Sequence, residues 1–347
     1  MDYLEENRAL GRHVFPDLVR AFALFGIVLV NVAYFAFPGE ITYFYGGLDG
    51  PADELAAFAV DALFPFKSYT LFSVMFGVGL ALQMGSAERR GEAFGPRYLR
   101  RTLGLALLGA LHVTLAFVGD ILIVYALLGA VLFAFRGLST AALVRWGAAF
   151  LCLQLLVSVL FAAAVTMGET FDSAGMAESS RRMGVRSGAL LDPGAGVWTR
   201  ARRAFLPAGL LVGLVGARWI HVAADPLSGA GPWGTALILL GAPLSSFGYL
   251  GALAKWADGP MTPAKRFLAR AGTASLSAYL LQSLILSFVF CGYGLGLFGR
   301  IGAAGCVAIA ALTGLVSLAA SSLWRARFAR GPFEALLRRW TYLGAGR

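Results

Sequence analysis

Residues 97–135, RYLRRTLGLALLGALHVTLAFVGDILIVYALLGAVLFAF, consist of two long apolar runs joined by Gly119-Asp120. Neither run has the polar face that a helix on the surface of a soluble protein would carry. Each is long enough to cross a bilayer, which takes about 20 residues at a rise of ~1.5 Å per residue. The stretch therefore predicts a transmembrane helical hairpin with its turn at Gly119-Asp120.

The composition of the whole chain agrees with a membrane protein. Its 347 residues are 58% hydrophobic and only 14% charged, with a mean hydropathy of +0.72, whereas soluble domains carry about 25% charged residues. Apolar runs near the length of a span recur along the chain, and they lack the period-two alternation of a membrane β-barrel. These patterns predict an all-α, polytopic transmembrane bundle of about nine to ten spans.

The positive charge indicates membrane topology. The formal net charge is +10, but the Lys and Arg residues fall between apolar runs, as in the cytoplasmic loops of membrane proteins. We therefore expect the lipid bilayer, and no nucleic acid, as a partner, with both termini on the cytoplasmic side. The Cys residues have no metal-ligand spacing, so no metal is expected.

A polar stretch divides the chain into two membrane halves. Residues 1–166 form a half of five helices, residues 167–203 a polar extramembrane loop, and residues 204–347 a second half that ends in a basic cytoplasmic tail. The halves give conflicting topologies. Counted forward from a cytoplasmic N-terminus, residue 166 lies outside, whereas counting backward from a cytoplasmic tail places Arg200, Arg202 and Arg203 inside, and residues 168–197 are too polar to cross the membrane between them. Either one span is missing from the count or one end is misplaced.

The hairpin carries the first candidate site. Ionisable residues are costly in hydrocarbon sequence and are often functional there. His112 is either a hydrogen-bonded buried histidine or a general base, with Asp120 as its nearest orienting partner. Asp120 is equally suited to cap the helix that follows it, and the two roles are compatible. Tyr125, about one turn into the second run, is a candidate for substrate binding.

The first apolar run carries three more polar candidates. Asp17 and Arg20 are expected to form a structural pair at the cytoplasmic end, although Arg20 could also bind the phosphate of a donor that enters from the cytoplasm. Asn31 falls on the same helix face as Arg20. It is either a polar contact between helices or a hydrogen-bond donor to an oxyanion.

Two further residues are weaker candidates for substrate binding. Lys67 is expected to extend its ammonium group to the lipid headgroups. Gln282 lies in the middle of an apolar run, close to Tyr279, and both are expected to make interhelical hydrogen bonds. Glu334, in the basic tail, is expected to form a local ion pair.

Several blocks, taken together, resemble the YeiB-type family of bacterial multi-pass membrane proteins. Asp17, Arg20 and Asn31 match the start of that family, although Ala21 stands where the family has glycine. His112 followed by Gly119-Asp120-Ile121-Leu122 is similar to its histidine and GDIL hairpin. Further matching blocks lie at residues 66–79, 277–296 and 330–341.

The resemblance implies a bacterial inner-membrane protein. The family is distantly similar to transmembrane acyltransferases, which implies transfer of an acyl group from an acyl-thioester donor to a sugar or lipid acceptor. In that scheme His112 would be the base, Asp120 would orient it, and Asn31 would stabilise the oxyanion. Those enzymes have a histidine near the position of Asn31, whereas here His13 precedes the first span. A transporter or export factor, or a member without catalytic activity, remains an alternative.

The chain departs from the family pattern in one place. Family members have another membrane span between the large loop and the arginine cluster that follows it. That span is missing here between residues 168 and 200, which would explain the conflict in the topology.

Overall fold

The computed structural model describes residues 14–37, 49–172, 205–222 and 230–343. All the regular secondary structure in these ranges is helical, as predicted. Most of the predicted polar loop at residues 167–203 lies outside the described residues, as does His13. The chain divides into two compact units, residues 1–147 with 253–347 and residues 148–252, which are described separately.

Twelve α-helices are found in the described part of the chain. The first five are α1 (Phe15–Ala36), α2 (Pro51–Leu63), α3 (Lys67–Glu88), α4 (Phe94–Leu115) and α5 (Leu122–Ala134). They are followed by α6 (Thr140–Asp172), α7 (Leu206–Val222) and α8 (Ala230–Asp258). The last four are α9 (Pro263–Gly272), α10 (Ser275–Phe290), α11 (Ala303–Arg327) and α12 (Pro332–Thr341).

Helix α1 is the centre of the first unit. It contacts α3, α9, α10 and α11, and most of its residues are buried. A helix that is apolar on every side can be buried on every side, and α1 has only Asp17, Arg20 and Asn31 as strongly polar residues. Its neighbours therefore surround it, and every polar group on it needs a partner inside the bundle.

The predicted hairpin is present as α4 and α5, which pack against each other. The turn falls at Gly119-Asp120, as expected. Helix α5 has only 13 residues, extended by a short 3₁₀ turn at Phe135–Gly137, so it is about 20 Å long. That length is less than the roughly 30 Å of a bilayer core.

Two chain breaks shape the first unit. Helix α2 ends at Leu63, two residues before Pro65, and Phe66 has a positive φ of 60° before α3 begins. Helices α9 and α10 are bent by 83° at the break between them. Helix α9 was not predicted from the sequence, although Thr262 accepts a hydrogen bond from the backbone N–H of Lys265 as a helix N-cap.

Several helices are suited to cross a membrane. In the described ranges, five segments are long and apolar enough, or six if α9 and α10 form one bent span. The five are Phe15–Ala36, Pro51–Glu88, Thr140–Met167, Gly231–Asp258 and Ala303–Arg327. The larger prediction of nine to ten spans is not confirmed. Helices α5 and α7 are apolar but short, and α4 carries arginines in its first two turns.

The second unit is held by close helix packing. A methyl group added to Gly209 of α7 would come within 2.9 Å of the Gly241 carbonyl oxygen of α8. One added to Gly216 would come within 2.7 Å of the Gly234 oxygen. Small residues let two helix backbones approach closely in a membrane, and these glycines lie where α7 and α8 pack against each other.

Candidate functional site

His112 and Asp120 form a buried pair. His112 lies in the last turn of α4 and Asp120 in the turn before α5, with 2.7 Å between Nδ1 and Oδ1. Gly109 allows this approach, because a methyl group there would come within 2.8 Å of the second Asp120 oxygen. An ionised carboxylate only accepts hydrogen bonds, so the Nδ1 atom of His112 carries the proton.

The Asp120 carboxylate is fixed from two further directions. Its Oδ2 atom accepts a hydrogen bond of 2.9 Å from the backbone N–H of Ile123, which is the predicted capping role. The Tyr279 hydroxyl lies 3.4 Å from Oδ1, and the backbone N–H of Ile121 donates to that hydroxyl at 3.3 Å. The carboxylate therefore holds the imidazole in one orientation.

The second imidazole nitrogen is available. Nε2 of His112 is buried and has no hydrogen-bond partner among the described residues. The ring centroid lies 5.3 Å from that of Tyr279 and 6.3 Å from that of Phe117. A neutral imidazole whose Nδ1–H is bonded to a carboxylate presents a lone pair at Nε2, which is the arrangement of a general base.

Asn31 and Tyr125 belong to a neighbouring network. The Tyr69 hydroxyl donates to Oδ1 of Asn31 at 2.7 Å. The Tyr125 hydroxyl donates to the Tyr69 carbonyl at 3.4 Å and lies 3.2 Å from the Ser73 hydroxyl. The hydrogen bonds identified in the described residues do not connect Asn31 to His112. The expected convergence of these two residues stays a prediction.

An aromatic contact connects His112 to helix α1. The Phe117 ring stacks on Phe35 of α1 with centroids 4.4 Å apart and meets the imidazole of His112 edge-on. The sequence indicated neither Phe117 nor Tyr69 as part of a site, because aromatic residues are common throughout an apolar chain.

Three other candidates make the structural contacts expected of them. Asp17 and Arg20 form an ion pair of 2.8 Å. The amide nitrogen of Gln282 donates to the Ser317 hydroxyl at 3.0 Å and to the Leu24 carbonyl at 3.5 Å, so it links α10 to α11 and α1.

Two expectations are wrong. Lys67 does not extend to the lipid headgroups but is fully buried at the start of α3, where Asp61 acts on its charge. Glu334 accepts hydrogen bonds from the backbone N–H groups of Leu276 and Ser277 and from the Ser277 hydroxyl. It therefore caps the N-terminus of α10 instead of forming a local ion pair.

A cavity of about 480 Å³ lies in the first unit, beside these networks. Arg20 and Tyr125 line it, whereas Asp17, Asn31, Lys67, His112, Asp120 and Gln282 do not. Tyr279 lines the cavity and also contacts Asp120. Tyr279 therefore connects the cavity wall to the His112–Asp120 pair.

Six arginines line this cavity: Arg20, Arg97, Arg101, Arg325, Arg330 and Arg338. The sequence suggested a binding role for Arg20 alone. The other five stand in basic clusters, which in a membrane protein are explained by the positive-inside rule. No local pattern indicates that α4, α11 and α12 bring them to one cavity.

The apolar helices and the buried polar networks between them define a multi-pass α-helical membrane protein. The C-terminal part, residues 185–344, matches a family model described as "Protein of unknown function (DUF418)". Over 385 aligned positions the chain is 29% identical to "Uncharacterized protein YxaH" of Bacillus subtilis (strain 168), covering 94% of this chain and 93% of that protein. The chain is similar to proteins of the YeiB type, as its sequence blocks indicated.

Shorter matches agree with this relationship. The chain is 35% identical over 122 residues to "Uncharacterized protein YeiB" of Escherichia coli (strain K12), covering 34% of this chain and 29% of that protein. It is 34% identical over 154 residues to "Uncharacterized 39.9 kDa protein in amylase 3'region" of Bacillus acidopullulyticus, covering 44% and 40%. No solved structure matches the chain.

Proposed function

We propose that this protein is a bacterial inner-membrane acyltransferase, in which His112 is the general base and Asp120 its orienting partner. The buried pair with an unbonded Nε2 atom is the observation that carries the proposal. A buried imidazole with one nitrogen held by a carboxylate and the other open to a reactant is suited to proton transfer. In the proposed topology the chain crosses the membrane about nine to ten times with both termini in the cytoplasm.

The proposed reaction moves an acyl group from a thioester to a hydroxyl. Nε2 of His112 takes the proton of the acceptor hydroxyl while the acceptor oxygen attacks the carbonyl carbon of the thioester. The resulting tetrahedral oxyanion collapses, the carbon–sulfur bond breaks, and the proton on Nε2 passes to the leaving thiolate. Asp120 stays ionised throughout and stabilises the imidazolium, so the ester product and a free thiol balance the step.

The other candidates take supporting roles. The Asn31 amide N–H₂ group is assigned to the oxyanion, with its carbonyl oxygen held by Tyr69. Arg20 and Tyr125 contact the donor because they line the cavity. We assign Asp17, Lys67 and Gln282 to structural roles inside the bundle, since Asp17 pairs with Arg20, Lys67 is fully buried and Gln282 donates to Ser317.

The first test removes the base. A strain that lacks the gene is complemented with the wild-type protein, His112→Ala or His221→Ala, and its acylated glycans and lipids are compared by mass spectrometry. His112→Ala should abolish the product that depends on the protein, at an unchanged level in the membrane, because general-base catalysis contributes about 10²–10⁴-fold. His221→Ala, which removes a histidine outside the pair, should leave the product unchanged. Full product with His112→Ala would exclude His112 as the base.

A transporter is the second candidate function. The bend of 83° between α9 and α10 favours it, because transporters bind substrates at helices that are broken inside the membrane. Proteoliposomes that contain a transporter would move an unmodified substrate across the bilayer, and His112→Ala would alter its rate without removing a covalent product.

A further inference from the structure

The arginine-lined cavity has a strong charge imbalance. Its six arginines face a single carboxylate, Glu334, whose oxygens already bind the first N–H groups of α10. Among the described residues, Arg20 pairs with Asp17 and Arg97 with Glu92. An anion in the cavity would therefore find guanidinium groups that the protein itself does not neutralise.

The remaining arginines increase this imbalance. Arg101, Arg330 and Arg338 make no ion pair within the described part of the chain. Partial burial and the adjacent charge of Arg338 lower the pKa of Arg330. Like charges held together at the edge of a membrane are costly unless an anion joins them. Guanidinium groups bind phosphate through paired hydrogen bonds, and this favours a phosphate.

The end of the cavity away from the arginines is apolar. Its wall includes Leu24, Ile27, Phe72, Met75, Phe76 and Leu105. Along α1 the order is Arg20, Leu24, Ile27, and along α4 it is Arg97, Arg101, Leu105. Along α3, Gln83 lies beside Arg97, whereas Phe72 lies 11 residues away, which is roughly 16 Å of helix. All three helices therefore change from polar to apolar in the same direction.

We propose that this cavity binds an amphiphile with a phosphate-bearing head and an aliphatic chain. The head contacts Arg101 and Arg330, and the chain extends along α3 towards Phe72. Cavities of this size hold small ligands, and this cavity of about 480 Å³ has one charged end and one apolar end. The ligand is either a membrane lipid phosphate or a soluble acyl carrier that bears phosphate. Only the identification of this ligand as the acyl donor rests on the proposed acyl transfer; the binding of the ligand does not.

Two glycines of α3 supply a matched test. Gly79 lines the cavity, one helical turn from Gln83 and one from Met75. Gly77 lies on the same helix but does not line the cavity, and a methyl group added to either glycine meets no atom within 4 Å. Gly79→Leu therefore fills the cavity without an initial clash, and Gly77→Leu adds the same side chain elsewhere on the helix.

The experiment uses the full chain in phosphatidylcholine nanodiscs with a photoreactive hexadecyl phosphate that carries a diazirine near the chain end. The photoreactive group should label α3 near Phe72. Unlabelled hexadecyl phosphate should reduce this labelling, whereas hexadecanol should not. Arg101→Gln, Arg330→Gln and Gly79→Leu should each reduce labelling about tenfold, as expected for a lost charge-assisted contact or a filled cavity. Gly77→Leu and Arg89→Gln, an exposed arginine outside the cavity, should stay within about twofold of the wild type.

Competitors then identify the source of the ligand. Displacement by phosphatidic acid in the nanodisc assigns a membrane lipid, and displacement by palmitoyl coenzyme A in the aqueous phase assigns a soluble carrier. Equal labelling of Gly79→Leu and Gly77→Leu, equal competition by hexadecanol, or no displacement by either phosphate compound would overturn the proposal. His112→Ala should label like the wild type, so a loss of catalysis and a loss of binding are measured separately.

Discussion

Gly109 is the residue on which the approach of Asp120 to α4 depends most directly. A methyl group there would come within 2.8 Å of Asp120 Oδ2, Ile123 Cγ1 and the Ile123 backbone nitrogen. Gly109→Ala must therefore displace the start of α5 and lengthen the bond between Asp120 and His112. We expect a cost of about 1–3 kcal/mol in the free energy of unfolding, as for other overpacked sites, and a loss of the activity that His112 supports.

The control is Gly147→Ala in α6, where an added methyl group meets no atom within 4 Å. Alanine is more favourable than glycine inside a helix by about 0.8–1.0 kcal/mol, so this variant should be as stable as the wild type or more stable. Thermal unfolding of the detergent-solubilised proteins compares them. Equal midpoints for the two variants would show that Gly109 does not control the pair.

The sequence predicted the contacts of some candidate residues but not those of others. His112 and Asp120 lie in one hairpin only eight residues apart, so two consecutive apolar runs and a turn were enough to bring them together. Lys67 was wrongly predicted because its burial depends on Asp61 of another helix and on the sharp backbone turn at Phe66. Contacts of that kind have no signature in the hydrophobic pattern.

The capping of α10 by Glu334 of α12 connects two elements that are far apart in the sequence. Glu334 accepts from the Leu276 N–H at 2.7 Å and the Ser277 N–H at 3.2 Å. Glu334→Ala removes a charged cap, and we expect the free energy of unfolding to fall by about 1–3 kcal/mol. Hydrogen exchange at the amides of Leu276 and Ser277 should become faster, and Glu334→Gln, which keeps an acceptor oxygen, should have a smaller effect.

The matched control for this cap is Glu88→Ala. Glu88 is exposed at the end of α3, so its loss should leave both exchange rates and the midpoint of unfolding unchanged, as for most surface positions. If the amides of Leu276 and Ser277 exchange no faster in Glu334→Ala than in Glu88→Ala, the Glu334 carboxylate does not stabilise the start of α10.

The short amphipathic helices were the elements that the sequence analysis missed. Apolar runs identify α1, α3 and α11, because nearly every residue there is hydrophobic. Helices α9 and α12 have ten residues each and several basic side chains, so a search for membrane spans passes over them. Thr262 followed by Pro263 is a helix-start signal that would have indicated α9.

For the molecule as a whole, composition predicted the all-helical class but not the number of spans. Length and hydropathy indicate whether a helix can cross a bilayer. For a shorter helix such as α5 or α7, burial against other helices decides whether the helix lies within the bilayer. Burial is not given by length and hydropathy: helix α1 is long and apolar enough to cross a bilayer, yet most of it is buried by protein. The arginine-lined cavity was unpredictable for the same reason, since it is assembled from helices that only the fold brings together.

The orientation of the C-terminal part is the remaining question about topology, and the match to YxaH supplies a physical constraint. That alignment extends over 385 positions, but this chain has 347 residues, so the relative contains sequence that this chain lacks. The family pattern predicts that the deleted sequence is a span between residues 168 and 200. Loss of one span would make the number of crossings odd, and the orientation of one half in the membrane would then be reversed.

Reporters that are active only in the cytoplasm or only in the periplasm, fused after Gly188 and after Gly259, test this prediction. Gly188 lies outside the described residues, and Gly259 follows α8. If Gly188 reports the periplasm and Gly259 the cytoplasm, the arginine cluster that includes Arg325 and Arg330 lies in the cytoplasm, where the positive-inside rule places it. A phosphorylated ligand would then enter from the cytoplasm, and His112 would lie towards the opposite face. If both sites report the same side, one half is inverted, which would contradict the cavity itself, because it takes Arg101 from the first half of the sequence and Arg330 from the second.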